Sequence, residues 1–317
     1  MDIRVRTLVR GALSSVPGLR GLGVLHSTGA NSASYYYGVW LKHLAMLWEV
    51  APGYSPRTVA ELGPGDSLGT GLAAVLSGAD HYYALDVMVY NNVDFNLRIF
   101  EELVELFSSR APRPTKGWPD FDPLLDENLF PSTALSEERL RSSLAPERLE
   151  RIREAIESPD GISRDGSISV NYIVPWSESS SLRPESVDLA ISHSVMEHVD
   201  EVDLTYAALS RCLKPGAYTS HQIDFSSHGM SKRWNGYRTC PEWVWRIARG
   251  RRPFFINREP PSRHIQSLRS HGLQIVRELF NMNGDGVGRE ELAPRWRAIS
   301  DQDLSCMSMF VQARKPS

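Results

Sequence analysis

The chain is short of cysteine, and neither sign of charge dominates it. Its 317 residues include 3 cysteines, 35 Lys and Arg residues and 38 Asp and Glu residues, so the formal net charge is −3. Cys212, Cys240 and Cys306 have no paired spacing, which argues against a disulfide framework or a zinc knuckle. The near-neutral balance argues against a nucleic-acid partner held by phosphate contacts.

Long apolar runs are also scarce. The best one, 35–51, is interrupted by Lys42, His43 and Glu49, so we predict no membrane-spanning helix. The first 25 residues carry four arginines among apolar residues, which suits either a docked helix or weak contact with an anionic membrane surface. They lack the features of a secretory signal. We therefore expect a cytoplasmic protein, either free or peripheral at the inner face of the membrane.

Strand and helix patterns alternate from residue 56 onward. The apolar runs predict strands over 58–62, 81–87, 167–174, 186–192 and 217–223, followed by two C-terminal strands over 273–280 and 305–313 that could pair antiparallel. The helical patterns lie over 35–50, 71–76, 95–107, 136–144, 146–157 and 202–212. This alternation predicts an α/β fold with a doubly wound, mostly parallel sheet, which binds ligands at the carboxyl ends of its strands.

The chain divides into three parts in this interpretation. Residues 1–55 form an N-terminal helical segment, while 56–110 and 165–317 form the catalytic core. Between them, 111–164 begins with prolines and continues with two charged amphipathic helices. This insertion is either a lid over an acceptor or a helical hairpin without a function of its own.

A glycine-rich loop follows the first predicted strand. A dinucleotide fingerprint would place its third glycine at position 68, which is leucine. The loop carries Glu61 and Asp66, and no Lys or Arg occurs between Thr58 and Asp80, so it favours a cationic ligand over a pyrophosphate. Asp86 ends the next strand, where it could accept hydrogen bonds from ribose hydroxyls. Alone, the loop could also be an ordinary strand-to-helix turn.

These motifs, with two later ones, resemble the class I S-adenosylmethionine-dependent methyltransferases, in particular bacterial small-molecule and sugar enzymes. The matching segments are the glycine loop of 59–65, the acid in 84–86, the strand and Glu-His pair of 186–199, and Leu-Lys-Pro-Gly at 213–216. The resemblance implies a Rossmann-like seven-stranded methyltransferase sheet whose last strand is antiparallel, with S-adenosyl-L-methionine as methyl donor. It covers most of the catalytic core.

The same resemblance implies a set of cofactor-binding residues near the ends of strands one to four. They are Glu61, Gly63, Gly65, Asp66, Ser67, Asp86, Val87, Ile173, Trp176 and His193. Many relatives place an acidic residue after strand three to contact the adenine, whereas this chain has Ile173 and Trp176 there. We therefore expect the backbone near Ile173 or the Trp176 ring to make that contact.

Catalysis is expected at the ends of strands four and five. Related enzymes place a histidine and an aspartate at the positions of His198 and Asp224, which predicts a His198 general base assisted by Asp224. His221 and His228 are further candidates. A divalent metal is not expected because no tight ligand spacing is present, although the cluster could hold one. His198 could also be a structural histidine at a helix entry.

The acceptor is the least constrained part of the prediction. A clustered His and Asp site suits removal of a proton from a hydroxyl, so we expect O-methylation of a sugar, glycan or secondary metabolite. Aromatic and basic residues over 234–264 would suit such an acceptor or would pack in the core. The alternatives are a non-catalytic scaffold with this fold and an enzyme that binds NAD or a nucleotide sugar. Oligomeric state is not predicted.

Overall fold

The computed structural model describes residues 1–16, 32–90, 92–114, 130–177, 182–252 and 254–317. Its centre is a seven-stranded sheet with the order β3-β2-β1-β4-β5-β7-β6. The strands are β1 Thr58–Leu62, β2 His81–Leu85, β3 Ser169–Ile173, β4 Val187–His193, β5 Leu213–Asp224, β6 Gln274–Met282 and β7 Cys306–Arg314. β1 to β5 pair in parallel, and β7 is antiparallel to both of its neighbours. The predicted sheet is confirmed.

Helices cover both faces of the sheet. They are α1 Val5–Ser14, α2 Ala33–Val50, α3 Gly69–Leu76, α4 Val93–Ser108, α5 Glu137–Ser143, α6 Pro146–Glu157, α7 Val202–Cys212, α8 Glu242–Arg249, α9 Pro261–Ser270 and α10 Asp301–Ser305. Contacts among α2, α3 and α4 form the layer on one face, and contacts between α7 and α9 form the layer on the other. The sequence patterns do not predict α8 and α9; α9 begins at Pro261 and is mostly polar.

Helix α3 packs unusually close to its neighbours because two of its residues are glycines. A β-carbon on Gly69 would overlap the ring of Tyr36, and one on Gly71 would overlap the ring of Tyr82. Both tyrosines are fully buried. The close approach fixes the start of α3 and therefore the glycine loop that precedes it.

The described part of the predicted insertion lies away from the carboxyl ends of the strands. Arg148 of α6 forms an ion pair with Asp80 and donates to the Ala79 carbonyl, just before β2 begins. Arg139 of α5 donates to the Ser77 carbonyl at the end of α3. Helices α5 and α6 are therefore at the amino-terminal edge of the sheet, where they cannot cover an acceptor. Residues 115–129 of the insertion lie outside the described part.

The N-terminal segment begins as a docked helix. Helix α1 packs on α8, and a β-carbon on Gly11 would overlap the α8 backbone at Ile247 and Ala248. Residues 17–25 of the predicted basic segment are outside the described residues. Among the helices that the structure describes, none combines the length and the apolar character needed to cross a bilayer.

The aromatic and basic stretch over 234–264 contributes mostly to packing. Trp245 and Tyr237 belong to one apolar cluster with Phe255. His264 is fully buried, with Nδ1 3.1 Å from the Tyr206 hydroxyl. Of the two tryptophans of α8, Trp245 is buried and Trp243 is exposed.

Candidate active site

The glycine loop joins β1 to α3 through two residues in the left-handed region. Gly63 has φ +64° and Gly65 has φ +71°. The Gly63 amide donates to the Leu85 carbonyl at 2.9 Å, and a β-carbon on Gly63 would lie 2.6 Å from a Val195 methyl group. Glycine is therefore required at position 63, and the loop is tied to the ends of both β2 and β4.

Asp86 follows β2 beside this loop, as predicted. Its Oδ1 accepts hydrogen bonds from the amides of Val87 at 2.7 Å and Met88 at 3.2 Å. Burial raises its pKa, while these amides and that of Gly65 act in the opposite direction. Its own backbone pairs with the predicted adenine-side residues, because its amide donates to the Ile173 carbonyl and its carbonyl accepts from the Trp176 amide. The structure thus brings Gly65, Asp86, Val87, Ile173 and Trp176 together.

Glu61 and Ser67 are turned away from the strand ends and into the layer of α3 and α4. Glu61 Oε2 accepts from the Tyr82 hydroxyl at 2.6 Å, and burial raises the pKa of Glu61 to about 7. Ser67 Oγ donates to Asn96 Oδ1 at 2.8 Å and accepts from the Gly69 amide at 3.2 Å. Any contribution from either side chain to ligand binding acts through the loop that they hold in place.

His193, at the end of β4, lies among aromatic rings from α2. Its ring centroid is 6.1 Å from that of Tyr35 and 5.8 Å from that of His43, both in edge-on geometry. Burial raises the pKa of Tyr35 to about 12, and the negative charges of Glu61 and Glu197 add to the shift. Tyr35 therefore lies between the loop after β1 and the residues that follow β4.

Acidic and imidazole groups meet after β4 and β5. His228 Nε2 lies 3.4 Å from Asp224 Oδ2 and 4.0 Å from Glu197 Oε1. The ring centroids of His198 and His228 are 5.1 Å apart. Ser226 holds Asp224, since its amide donates to Oδ1 at 2.7 Å and its hydroxyl donates to Oδ2 at 3.0 Å. We call Glu197, His198, Asp224 and His228 the acid-imidazole cluster.

Two members of the acid-imidazole cluster have strongly shifted proton affinities. Glu197 is only 3% exposed, and neither carboxylate oxygen has a hydrogen-bond partner among the described residues. Burial, followed by repulsion from Asp224, raises its pKa well above the usual range. Burial, followed by the neighbouring His228, lowers the pKa of His198 to about 4. His198 is therefore neutral at physiological pH, and it is a weaker base than an ordinary histidine.

The backbone at this cluster is unusual. His228 has φ +45° and Ser194, just after β4, has φ +55°, a region that residues other than glycine rarely adopt. Asn257 holds the short 3-10 helix Met196–His198, because its side-chain amide donates to the carbonyls of Met196 at 2.7 Å and Val199 at 2.8 Å. Such conformations concentrate at functional sites because the surrounding contacts must compensate their cost.

The structure does not bring His221 to the cluster. Its side chain is fully buried inside the sheet, with Nδ1 2.8 Å from Ser192 Oγ and Nε2 2.5 Å from Thr219 Oγ1. Burial lowers its pKa to about 3. Residues 221 and 224 are three apart on one strand, so they face opposite sides of the sheet. The predicted catalytic role of His221 is not compatible with this position, because no acceptor reaches its ring.

The expected partner of Asp224 also changes. The sequence interpretation joins Asp224 to His198, whereas in the structure the imidazole next to the Asp224 carboxylate is that of His228.

One ligand atom each from Glu197, His198 and His228 lies within 4.8 Å of the others, so these side chains also have the donor types and proximity for a divalent cation.

Residues 138–220 match a family described as a methyltransferase domain. The match spans 83 of the 317 residues and includes β3, β4, α7 and the Glu197-His198 pair. The strand order of the sheet agrees with the fold that the sequence predicts. No curated protein matches the chain in sequence.

The chain is similar in structure to several solved methyltransferases. A phosphoethanolamine N-methyltransferase 2 of Haemonchus contortus is 14% identical with a TM-score of 0.43, and the alignment covers 88% of this chain and 53% of that one. This chain thus spans about half of that protein. An S-adenosylmethionine-dependent methyltransferase of Methanosarcina mazei is 13% identical with a TM-score of 0.43, covering 83% and 94%. One of Listeria monocytogenes is 13% identical at 0.42, covering 88% and 99%.

Sequence reasoning overlooks two parts of the candidate site. Glu197 is quoted in the Glu-His pair but not assigned a role, although an acid beside a candidate base at a strand end is a signal in itself. The arginines that line the pocket beside His198 and His228 come from α1 and from the segment after α8. Nothing in the sequence spacing brings residues so far apart to one site.

Proposed function

We propose that the protein transfers a methyl group from S-adenosylmethionine to a hydroxyl of a small polar acceptor, such as a sugar, a glycan or a secondary metabolite. The observation that carries the proposal is the contact between Asp224 and His228 at the end of β5, in the same sheet edge as the glycine loop and Asp86. An ionised acid beside an imidazole is suited to take a proton from a hydroxyl. An amine acceptor would need this base less.

The residues at the ends of β1 to β3 fit the cofactor. The left-handed turns at Gly63 and Gly65 let the backbone approach a ligand closely, and Asp86 is placed to accept from two ribose hydroxyls. When bound, S-adenosylmethionine supplies an electrophilic methyl group on a cationic sulfur. The carboxyl groups of Asp66 and Asp86, with no Lys or Arg between Thr58 and Asp80, favour such a cation.

In the proposed mechanism, His228 takes the proton of the acceptor hydroxyl as the oxygen attacks. Asp224, at 3.4 Å, stabilises the imidazolium that forms. His198 lies beside His228 and stays neutral, so its ring can accept a hydrogen bond from the acceptor. The glycine loop would hold the methyl donor beside this base.

Calorimetry with S-adenosylhomocysteine, S-adenosylmethionine and NAD tests the donor. We expect the first two to bind and NAD to show no heat of binding. Binding of NAD without the other two would overturn the proposal in favour of an NAD or nucleotide-sugar enzyme. Cofactor binding with no transfer of labelled methyl groups to any acceptor in a metabolite extract would favour a scaffold.

A metal-assisted variant of this function is supported by the proximity of Glu197, His198 and His228. The cation would lower the pKa of the acceptor hydroxyl in place of a base. In the base mechanism, methyl transfer continues in the presence of a chelator. Loss of transfer with EDTA, restored by a divalent cation, would support the metal variant.

Peripheral membrane contact is supported by the outward face of α1. Val5, Val9 and Leu13, spaced at four residues, are 74%, 50% and 42% exposed, while the face toward the protein is Thr7 and Gly11. Neighbouring α8 exposes Trp243 and Ile247. We propose that this surface binds the anionic inner face of a membrane, because exposed arginines accompany the apolar residues on both helices.

A further inference from the structure

A pocket of about 350 Å³ opens beside the acid-imidazole cluster, and its lining is strongly basic. His198 and His228 form part of it, and Arg6 and Arg10 of α1 and Arg252 complete it together with backbone and apolar groups. None of the lining residues is acidic. Among the described residues, no carboxylate forms an ion pair with any of these three arginines, of which Arg252 is half-buried and Arg6 and Arg10 are exposed.

Two of the three guanidinium groups are held in place by neutral groups. Arg252 donates to the carbonyls of Thr7 at 3.3 Å and of Ala248, and its guanidinium lies 4.4 Å from the centre of the Phe255 ring. Arg6 donates to the Gly229 carbonyl at 3.2 Å. Burial, and then the charge of Arg10, lowers the pKa of Arg252. The pocket therefore holds like charges together with no counter-charge of its own.

We infer that this pocket binds a phosphate group carried by the methyl acceptor. Guanidinium groups match phosphate oxygens through paired N–H donors. The charge of three guanidinium groups is balanced better by a phosphate dianion than by a ligand with a single carboxylate. A phosphate bound by Arg6, Arg10 and Arg252 would place the rest of a small acceptor against His198 and His228, which line the same pocket. The inference rests on the proposed function, because it assigns the substrate class of that site.

The volume suits this assignment. A pocket of about 350 Å³ is at the small end of the range for ligand sites, which is roughly 300 to 1,000 Å³. A small phosphate ester fits, whereas a large glycan would extend beyond it. The phosphate could belong to a soluble ester or to a lipid headgroup, and the recognition chemistry is the same in both.

The first experiment measures binding of inorganic phosphate by calorimetry at constant ionic strength, with chloride as the reference anion. We expect the double variant Arg6→Gln/Arg10→Gln to bind phosphate at least about tenfold more weakly than the unaltered protein. Arg246→Gln, an exposed arginine of α8 outside the pocket, is the matched control and should leave the affinity unchanged. Equal affinity in the double variant, or no binding by the unaltered protein, overturns the inference.

Binding of S-adenosylhomocysteine separates this inference from the proposed function. The double variant should keep it, which also shows that the variant is folded. Absence of cofactor binding in the unaltered protein would refute the proposed function, while phosphate binding still reports on the pocket. Phosphate binding lost only together with cofactor binding would mean that the arginines support the fold, and the inference would fail.

A competition experiment identifies the source of the phosphate. Glycerol 3-phosphate that displaces inorganic phosphate supports a soluble ester. Displacement only by vesicles that contain phosphatidic acid supports a lipid headgroup. If neither displaces inorganic phosphate, the pocket does not accept phosphate monoesters and the inference is wrong.

Discussion

The Nε2 atom of His228 lies 3.4 Å from Oδ2 of Asp224, across a turn in which His228 adopts φ +45°. Ser226 fixes the carboxylate from inside the same turn through its amide and its hydroxyl. The acid and the imidazole thus come from one short loop after β5. The proposed proton transfer depends on this pair more than on any other contact of the site.

Replacing His228 by alanine should remove most of the methyl transfer. We expect the turnover number to fall by about 10²- to 10⁴-fold, the usual contribution of a general base. The measurement is the transfer of labelled methyl groups from S-adenosylmethionine to acceptors in a metabolite extract. Affinity for S-adenosylhomocysteine should be unchanged, and His81→Ala, at the start of β2, serves as the control. Normal turnover of His228→Ala would eliminate this residue as the base.

Replacing Asp86 by alanine should weaken cofactor binding. Loss of hydrogen bonds to a charged carboxylate costs about 1.5–3 kcal/mol, or roughly 10- to 100-fold in affinity. Calorimetry with S-adenosylhomocysteine measures the change, and Asp94→Ala, an exposed acid in the first turn of α4, is the matched control. An unchanged affinity in Asp86→Ala would remove its proposed ribose contact.

Replacing Gly71 by alanine should destabilise the fold even though alanine favours helices. The added methyl group would overlap the Tyr82 ring, and overpacking of this kind costs about 1–3 kcal/mol of unfolding free energy. Gly284→Ala is the control, because its β-carbon has nothing within 4 Å, and its effect should stay within about 0.5 kcal/mol. Urea unfolding of both variants measures the difference. Equal stability would show that Tyr82 moves aside without cost.

Glu61 should make the protein less stable as the pH rises. Its folded pKa of about 7 exceeds the ordinary value of 4.5, so the folded state binds the proton more tightly. Its contribution is complete below pH 4.5 and is lost as the pH rises through 7, with a slope of at most about 1.4 kcal/mol per pH unit.

Urea unfolding of the unaltered protein and of Glu61→Gln between pH 5 and 8 tests this prediction. As the pH rises, the unfolding free energy of the unaltered protein should fall relative to that of Glu61→Gln. Comparing the two proteins cancels the titration of the buried histidines, which are the same in both. Parallel pH profiles would show that Glu61 does not titrate in this range.

Leu13→Asp should weaken binding to anionic vesicles if the α1 face contacts a membrane. Leu13 is 42% exposed on that face, and Leu204 of α7 is 53% exposed elsewhere, so Leu204→Asp is a matched control with the same change of charge. Co-sedimentation with phosphatidylglycerol vesicles gives the comparison. We expect binding to fall several-fold for Leu13→Asp alone. If the unaltered protein does not sediment with the vesicles, the proposed membrane contact is excluded.

The sheet and its cofactor edge could be predicted because their signals are local. The strand over 58–62 agrees in both bounds with β1, and the glycine loop and Asp86 follow directly from the end of each strand. The period of the apolar residues, the glycines of the loop and the position of Asp86 at a strand end each depend on a few consecutive residues. The resemblance to methyltransferases uses the same local motifs, so it also predicts this half of the site.

The acceptor half depends on contacts between distant parts of the chain. Arg6 lies about 250 residues before Arg252, and only the docking of α1 on α8 brings them to one pocket. The pairing of Asp224 with His228 depends on a left-handed residue that sequence propensity does not predict. Strand alternation alone places the side chains of residues 221 and 224 on opposite faces of the sheet, so it already argues against the predicted role of His221.

Helix α1 buries little surface against the rest of the protein, and this couples its docking to anion binding in the pocket that contains Arg6, Arg10 and Arg252. The helix buries only Thr7 and Gly11 of its ten residues, yet it carries two of the three guanidinium groups. A helix with so little buried surface separates from the body at a lower free energy than the sheet unfolds. Anion binding and docking of α1 are therefore linked equilibria. Phosphate binding stabilises the docked position of α1, and any change that releases α1 lowers the affinity for phosphate.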